Sequence, residues 1–101
     1  MAHRIVVAPE ARDQLDAIYD YIAEAASPDI AARFTDGIVD HLMVLGDNPR
    51  IGTPRDDIRP GLRTLAHRRR VTIAHMVERK TVGWIGSYYG GQDFETLLRE
   101  D

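Results

Sequence analysis

Four arginines stand in a stretch that is also rich in proline and glycine, and their chemistry is that of anion recognition. The stretch, residues 48–63, is called the arginine segment below; its arginines are Arg50, Arg55, Arg59 and Arg63. A guanidinium group grips carboxylates and phosphates through several hydrogen bonds, and proline together with glycine indicates a stiff, exposed connector. We therefore predict that these arginines bind a target macromolecule. The other interpretation is a solvated loop whose arginines pair internally with Asp56 and Asp57.

A second basic run, Arg68-Arg69-Arg70, has no acidic neighbour. Three adjacent cations would attract an acidic segment of a partner or a phosphate backbone. Because the run falls at a predicted hairpin turn, its charge could instead serve to block unwanted strand pairing at the sheet edge. Both interpretations stay open from the sequence, and the salt dependence of binding would separate them.

The composition gives little support to other kinds of site. The chain has no cysteine, which excludes disulfides, thiol nucleophiles and thiolate metal ligands. Its four histidines, His3, His41, His67 and His75, lack close metal-ligand spacing. Gly90-Gly91 follows a predicted strand but lacks the remaining residues of a phosphate-binding loop. We predict no metal and no cofactor.

Length and charge indicate one small domain with a polarised sequence. The 101 residues, 44% hydrophobic, suit a single compact domain over residues 1–101. Residues 1–48 carry 3 arginines against 9 acidic side chains, and residues 49–101 carry 10 basic against 7 acidic side chains. The net charges are therefore −6 and +3, which sum to the −3 of the chain. The acidic net charge argues against general nucleic-acid binding, whereas the basic second half allows a local basic surface.

No apolar run is long enough to span a membrane, so we expect a cytoplasmic protein.

The first half of the chain predicts a strand and two helices. Residues 3–7 are mostly β-branched and form a short strand, which Pro9 ends. Pro9 also begins a helix that runs to about Ala25, because apolar residues recur there at helical spacing. Ser27-Pro28-Asp29 is typical of a helix start, and Gly46 is the predicted stop of this second helix. So short a link makes the two helices an antiparallel hairpin.

The second half predicts a meander of β-strands. Residues 62–67, 71–77 and 82–89 alternate in polarity or are rich in aromatic and β-branched side chains. A short helix over residues 93–98 is expected to close the chain. The predicted fold class is α+β: an N-terminal strand, an antiparallel helical hairpin, a three-stranded antiparallel meander and a short C-terminal helix. The sheet face opposite the helices is predicted to be rather open. Trp84 either packs under the helices or forms an apolar strip with Tyr88.

Several short motifs follow one another in a specific order. They are Pro9-Glu10-Ala11, residues 18–22, Ser27-Pro28 ahead of Phe34, residues 49–55, and Pro60-Gly61-Leu62-Arg63. Each motif alone is weak, but the ordered set covers nearly the whole chain and resembles the RelE/ParE superfamily of type II toxins, the ParE branch in particular. The resemblance implies a toxin encoded beside an antitoxin, whose extended C-terminal segment wraps the helical hairpin and the sheet. ParE-like members poison DNA gyrase, whereas RelE-like members cleave messenger RNA in the ribosomal A site.

The resemblance implies partners for both basic surfaces. DNA gyrase is the expected target of the arginine segment, and a ParD-like antitoxin is the expected neutralising partner. The expected antitoxin contacts are Arg68, Arg69, Arg70, Tyr19, Ile22 and Phe34. A degenerate toxin that only binds its antitoxin is a further possibility.

A RelE-like ribonuclease is the enzymatic alternative. It would need groups for general acid and base catalysis and for stabilising the charge of the transition state. The candidates are Arg63, His75 and Tyr89, with Arg70 and Tyr88 nearby. Where the family's last strand commonly ends in His-Gly-Arg-Arg-Asp, this chain has Tyr89-Gly90-Gly91-Gln92-Asp93. Because two cations and the histidine are missing, the resemblance favours a non-enzymatic gyrase inhibitor.

Overall fold

The computed structural model describes residues 3–90 and 98–99. Its elements in chain order are β1 (Arg4–Val7), α1 (Pro9–Ala25), α2 (Pro28–Asp47), β2 (Thr53–Pro54), β3 (Leu62–His67), β4 (Val71–Val77) and β5 (Thr81–Tyr89). The strands form one five-stranded mixed sheet in the order β1-β5-β4-β3-β2. The predicted α+β class is confirmed.

The sheet is larger than the predicted three-stranded meander. The three predicted strands are present as β3, β4 and β5, which pair antiparallel in sequence order. The N-terminal strand β1 joins them in parallel beside β5, and β2, which lies inside the arginine segment, pairs antiparallel with β3. The strand predicted over residues 3–7 is confirmed as β1, but its place beside β5 was not predicted, because that pairing joins distant parts of the chain. β2 was missed because it is only two residues long.

Both helices begin where their first residues predict. Pro9 opens α1, and the Ser27 hydroxyl caps α2 by accepting a hydrogen bond from the Ile30 backbone N–H at 3.2 Å. The predicted stop at Gly46 is wrong, since α2 continues to Asp47. A Cβ atom at Gly46 would lie 2.9 Å from the carbonyl oxygen of His3. This glycine therefore allows the chain at the start of β1 to approach the helix.

The main core lies between the two helices and one face of the sheet. Its members share near-complete burial and include Ile18, Ile38, Leu42, Leu45, Ile73, Val82 and Trp84. Burial of such apolar surface is the main stabilising contribution in a domain of this size. Trp84 is only 3% exposed and packs under the helices, as one of the two interpretations predicted.

The opposite face of the sheet carries a smaller apolar cluster. It consists of Leu62, Ala74, Tyr88 and Leu98. Because Leu98 is only 1% exposed, this face is covered there and is less open than predicted. Of the short helix predicted over 93–98, residues 93–97 lie outside the described residues, and residues 98–99 are helical.

A register shift in β5 separates Trp84 from Tyr88. The pairing with β4 passes from Ala74 with Gly86 to His75 with Trp84 and thereby skips Ile85. An extra residue of this kind interrupts the alternation of side chains along a strand. Trp84 belongs to the helix-side core and Tyr88 to the opposite cluster. The predicted apolar strip of Trp84 and Tyr88 is therefore wrong.

Candidate functional site

The arginine segment forms one wall of an open groove of about 620 Å³. The other wall is the end of β4 and the turn that follows it. Charged side chains along the groove are Arg50, Arg63 and Arg79, together with Asp56 and Glu78. Three guanidinium groups against two carboxylates give a surface of mixed charge with a cationic excess.

Arg63 and Gly52 fix the path of the segment beside this groove. The Arg63 guanidinium donates to the carbonyl oxygens of Ile51 and Gly52, each at 3.3 Å. Gly52 has φ +93°, and a Cβ atom there would lie 2.5 Å from the Thr64 carbonyl oxygen. Only glycine fits this position. Arg63, which the sequence predicted as a target contact, instead holds the backbone of its own segment.

Two further arginines of the segment are engaged within the protein. Arg55 makes a bidentate ion pair with Asp57 at 3.0 and 2.9 Å. The hydrogen bonds from Arg55 hold the pKa of Asp57 below its usual value, and Arg99 approaches the same carboxylate at 3.6 Å. Arg59 donates to the Leu98 carbonyl oxygen at 2.9 Å. The internal pairing proposed for Asp57 is therefore present.

The remaining predicted ion pair, with Asp56, is replaced by a different contact. The Asp56 carboxylate accepts a hydrogen bond from the Gly61 backbone N–H at 2.9 Å, which closes the turn ahead of β3. Arg50 differs from the other three arginines, because its side chain is exposed and has no ion pair or hydrogen bond with residues 3–90 or 98–99. Among the described residues, Arg50 is thus the arginine of the segment whose guanidinium group has no internal partner.

The three ribonuclease candidates do not come together. Arg63 and His75 are neighbours in the pairing of β3 with β4, whereas Tyr89 pairs with Val71 at the other end of β4. Four residues of strand separate these positions, or about 13 Å at roughly 3.3 Å per residue. Tyr89 instead packs against Tyr21, with ring centroids 5.3 Å apart.

His75 is also inaccessible to any substrate. Its exposed fraction is 0%, and neither ring nitrogen has a hydrogen-bond partner of good geometry among the described residues. Burial lowers the pKa of His75, the Pro49 carbonyl partly opposes this, and the charge of Arg63 adds to the lowering. The ring is therefore neutral near pH 7 and enclosed. The nearby candidates Tyr88 and Arg70 do not complete a site either, since Tyr88 is buried and Arg70 lies on an exposed turn.

The second basic run forms the turn between β3 and β4. Arg68 and Arg69 have φ of 51° and 60°, and the Arg70 backbone N–H donates to the His67 carbonyl oxygen at 3.1 Å. Two consecutive residues with positive φ are typical of a tight hairpin turn, although glycine or asparagine usually occupies it. All three arginines are exposed.

Beside this turn, a shallow cleft combines apolar and basic side chains. It has a volume of about 360 Å³ and is lined by Ile30, Arg33, Phe34 and Arg68. Phe34 is 8% exposed and Ile30 is 47% exposed. The structure therefore joins two predicted antitoxin contacts, Phe34 and Arg68, with two residues that the sequence did not indicate. Ile30 lies one helical turn before Phe34 and therefore on the same helix face, and this spacing could have indicated it from the sequence.

The predicted antitoxin contacts on α1 have less free surface. Ile22 is 7% exposed and belongs to the core, and Tyr19 is half-buried against the same core. The aromatic side chain between them, Tyr21, is 59% exposed. Tyr21 lines a separate cleft of about 290 Å³ between α1 and β5, and this residue was also missed.

A pair of histidines joins α2 to β3 beneath the basic turn. The Nδ1 atoms of His41 and His67 are 3.1 Å apart, so one ring donates and the other accepts. Burial lowers the pKa of His67, and the charges of His41 and Arg68 add to this. The hydrogen bond between the two rings therefore links α2 to β3.

Two negative findings concern the described part of the chain. Within residues 3–90 and 98–99, no three His, Cys, Asp or Glu side chains are grouped so that they could hold a metal ion. None of the helices in the same residues has the length and apolar character needed to cross a membrane.

Comparison with known proteins agrees with this architecture. A solved structure described as the chromosomal ParDE TA system from P. aeruginosa has a similar fold, with a TM-score of 0.77 and 24% sequence identity. The similarity covers 88% of this chain and 97% of that chain. A search of curated protein sequences gave no match. A family model described as the ParE toxin of the type II toxin-antitoxin system parDE matches residues 5–85. This chain therefore belongs to the ParE toxin family of type II toxin-antitoxin systems.

Proposed function

We propose that the chain is a non-enzymatic toxin that inhibits DNA gyrase in the cytoplasm and is neutralised by a ParD-like antitoxin. Family membership supports the toxin role. The observation that carries the target contact is Arg50, an exposed guanidinium without an internal partner in the described chain, at the edge of a groove that also holds Arg63 and Arg79.

The charge pattern of the groove suits a protein surface. Its arginines would pair with carboxylates of the target, while Asp56 and Glu78 would select against a uniformly acidic partner. Binding of this kind needs no chemical step by the toxin. The wide separation of Arg63 and His75 from Tyr89 is in keeping with an inhibitor that acts by binding alone.

The antitoxin contact is proposed at the cleft of Ile30, Arg33, Phe34 and Arg68. The buried Phe34, the partly exposed Ile30 and a rim of exposed guanidinium groups fit a segment with an apolar anchor flanked by acidic residues. Arg69 and Arg70 extend the basic rim along the turn. Replacement of Arg33 and Arg68 by alanine should weaken antitoxin binding, more strongly at low salt than at high salt.

A supercoiling assay with purified gyrase tests the target contact. Arg50→Ala should raise the toxin concentration needed for half-inhibition at least tenfold and leave antitoxin affinity unchanged. Arg33→Ala is the matched control, because it removes an arginine at the other surface and should have the opposite pattern. Inhibition that is equal for Arg50→Ala and the parent chain would contradict this contact. Cleavage of ribosome-bound messenger RNA, with supercoiling untouched, would replace the gyrase assignment by the ribonuclease alternative.

A second candidate function is antitoxin binding without toxicity. The internal use of Arg55 and Arg59 favours it, because these two guanidinium groups are committed to Asp57 and to the Leu98 carbonyl. Induction of the lone chain distinguishes the candidates. Normal growth together with uninhibited gyrase would support the second candidate, whereas arrested growth that the antitoxin relieves would exclude it.

A further inference from the structure

His75 lies in the middle of a row of three residues that crosses the sheet. Pairing aligns Arg63 of β3 with His75 of β4 and Trp84 of β5. The register shift of β5 falls directly beside this row, and such irregularities commonly redirect side chains. The row runs beneath the first residues of the arginine segment.

The backbone of the arginine segment rests on the His75 ring. A Cβ atom at Gly52 would lie 3.6 Å from His75 Cε1, so the backbone at Gly52 passes immediately over the ring. The Pro49 carbonyl also lies close enough to affect the ring's protonation. Arg63 approaches from β3 and holds the Ile51 and Gly52 carbonyls. In the sequence, Arg50 lies between Pro49 and Gly52, the two residues whose backbone approaches the His75 ring.

Hydrogen bonding explains the polar character of His75 only weakly, because the Pro49 carbonyl lies near the ring without good hydrogen-bond geometry. Both ring nitrogens are buried without partners of good geometry in the described chain, and a buried polar group in that condition calls for a reason. A flat, neutral ring fills the space under Gly52 and adds no charge next to Arg63. A cationic side chain in the same place would repel Arg63, and a much smaller one would leave a cavity under the segment.

We infer that His75 is a positioning residue: its buried ring supports residues 49–52 and thereby sets where Arg50 is presented. The inference rests on the proposed function for its biological meaning, because Arg50 is the proposed gyrase contact. His75 itself touches no partner.

Protonation of His75 would disturb this support. The charged group facing the ring is Arg63 from β3, while β5 contributes the neutral Trp84 and the segment contributes backbone atoms. A positive ring would repel Arg63 and weaken its hold on the Ile51 and Gly52 carbonyls. Since burial lowers the pKa of His75, the segment should loosen only in acid, below the usual histidine pKa.

Amide hydrogen exchange of residues 50–53 tests the inference without any partner. After correction for intrinsic rates, the parent chain should exchange these amides at least tenfold faster at pH 5 than at pH 7. His75→Leu keeps the bulk and cannot be protonated, so exchange should stay slow at both pH values. His75→Ala should exchange at least tenfold faster at both, with the amides of Ile38 and Leu42 in α2 unchanged.

The controls separate a local effect from a general one. His67→Leu removes the other buried histidine and should leave the acid response of residues 50–53 intact. The inference is overturned if His75→Leu retains that response, or if residues 50–53 exchange alike in the parent chain at both pH values. If His75→Ala does not fold, the comparison of His75→Leu with the parent chain still decides. A parent chain that fails to inhibit gyrase would defeat the proposed function, whereas the exchange data would still judge His75.

Discussion

The indole N–H of Trp84 donates to the hydroxyl of Ser87 at 3.0 Å, three residues further along the same strand. In a regular strand these two side chains would point to opposite faces, and the skipped Ile85 brings them to the same one. The Gly86 carbonyl is a second acceptor at 3.2 Å. The hydrogen bond therefore both depends on the irregularity of β5 and stabilises it.

Ser87→Ala should destabilise the protein by about 1 kcal/mol, because a buried hydrogen bond is lost while Gly86 still accepts from the indole. Chemical denaturation followed by Trp84 fluorescence measures this. Ser87→Thr retains the hydroxyl but adds a methyl group, so it tests whether the buried site around Ser87 has room for a larger side chain. A free energy of unfolding that is unchanged in Ser87→Ala would mean that the Gly86 contact alone is sufficient.

Gly52→Ala should cost about 3 kcal/mol or more, since a methyl group would combine an unfavourable positive φ with a steric clash against the Thr64 carbonyl. Gly90→Ala is the matched control. Gly90 also has a positive φ, +62°, but a Cβ atom there meets nothing within 4 Å, so the cost should be about 1 kcal/mol. Thermal unfolding of both variants gives the comparison. Equal losses would indicate that the clash at Gly52 is relieved by movement of the segment.

Arg69→Gly should stabilise the hairpin turn by about 0.5–1 kcal/mol, because φ is 60° at this position and glycine adopts it without the penalty of a side chain. Arg70→Gly removes the same charge from a neighbouring residue without a positive φ, and should not stabilise. Denaturation midpoints measured at high salt keep charge effects small. If both variants were destabilised alike, relief of backbone strain at Arg69 would not determine the stability of the turn.

Stability should fall in mild acid because of His67. Its pKa in the folded protein is lowered by burial and by the charges of His41 and Arg68, so the unfolded chain binds the proton more readily. The neutral His67 ring makes its full contribution to the free energy of unfolding above the pKa of the unfolded chain, about 6.5. This contribution declines as the pH drops below that value. For this one histidine, the free energy of unfolding changes by at most about 1.4 kcal/mol per pH unit. Denaturation between pH 5 and pH 7.5 measures it, and His67→Gln should reduce the slope. His75 contributes in the same direction.

The helices illustrate what short-range signals can achieve. Pro9 and the Ser27 cap act within one turn of the chain, and the apolar spacing of α1 and α2 repeats locally, so the starts of both helices could be predicted from the sequence. Gly46 failed as a stop signal because its constraint comes from His3, which folding brings against it. The same holds for Trp84 and Tyr88, whose faces depend on one residue skipped in β5.

The sequence by itself determined the fold class, the two helices, three consecutive strands and the family resemblance, since these depend on local patterns and on their order. Only the tertiary structure decided which arginine is available. Arg59 is bound to a carbonyl 39 residues away, Arg63 holds the backbone of its own segment, and Arg50 is exposed and has no ion pair or hydrogen bond within the described chain. The physical reason is that a guanidinium group binds whichever acceptors folding brings within hydrogen-bond distance, and composition does not encode that distance.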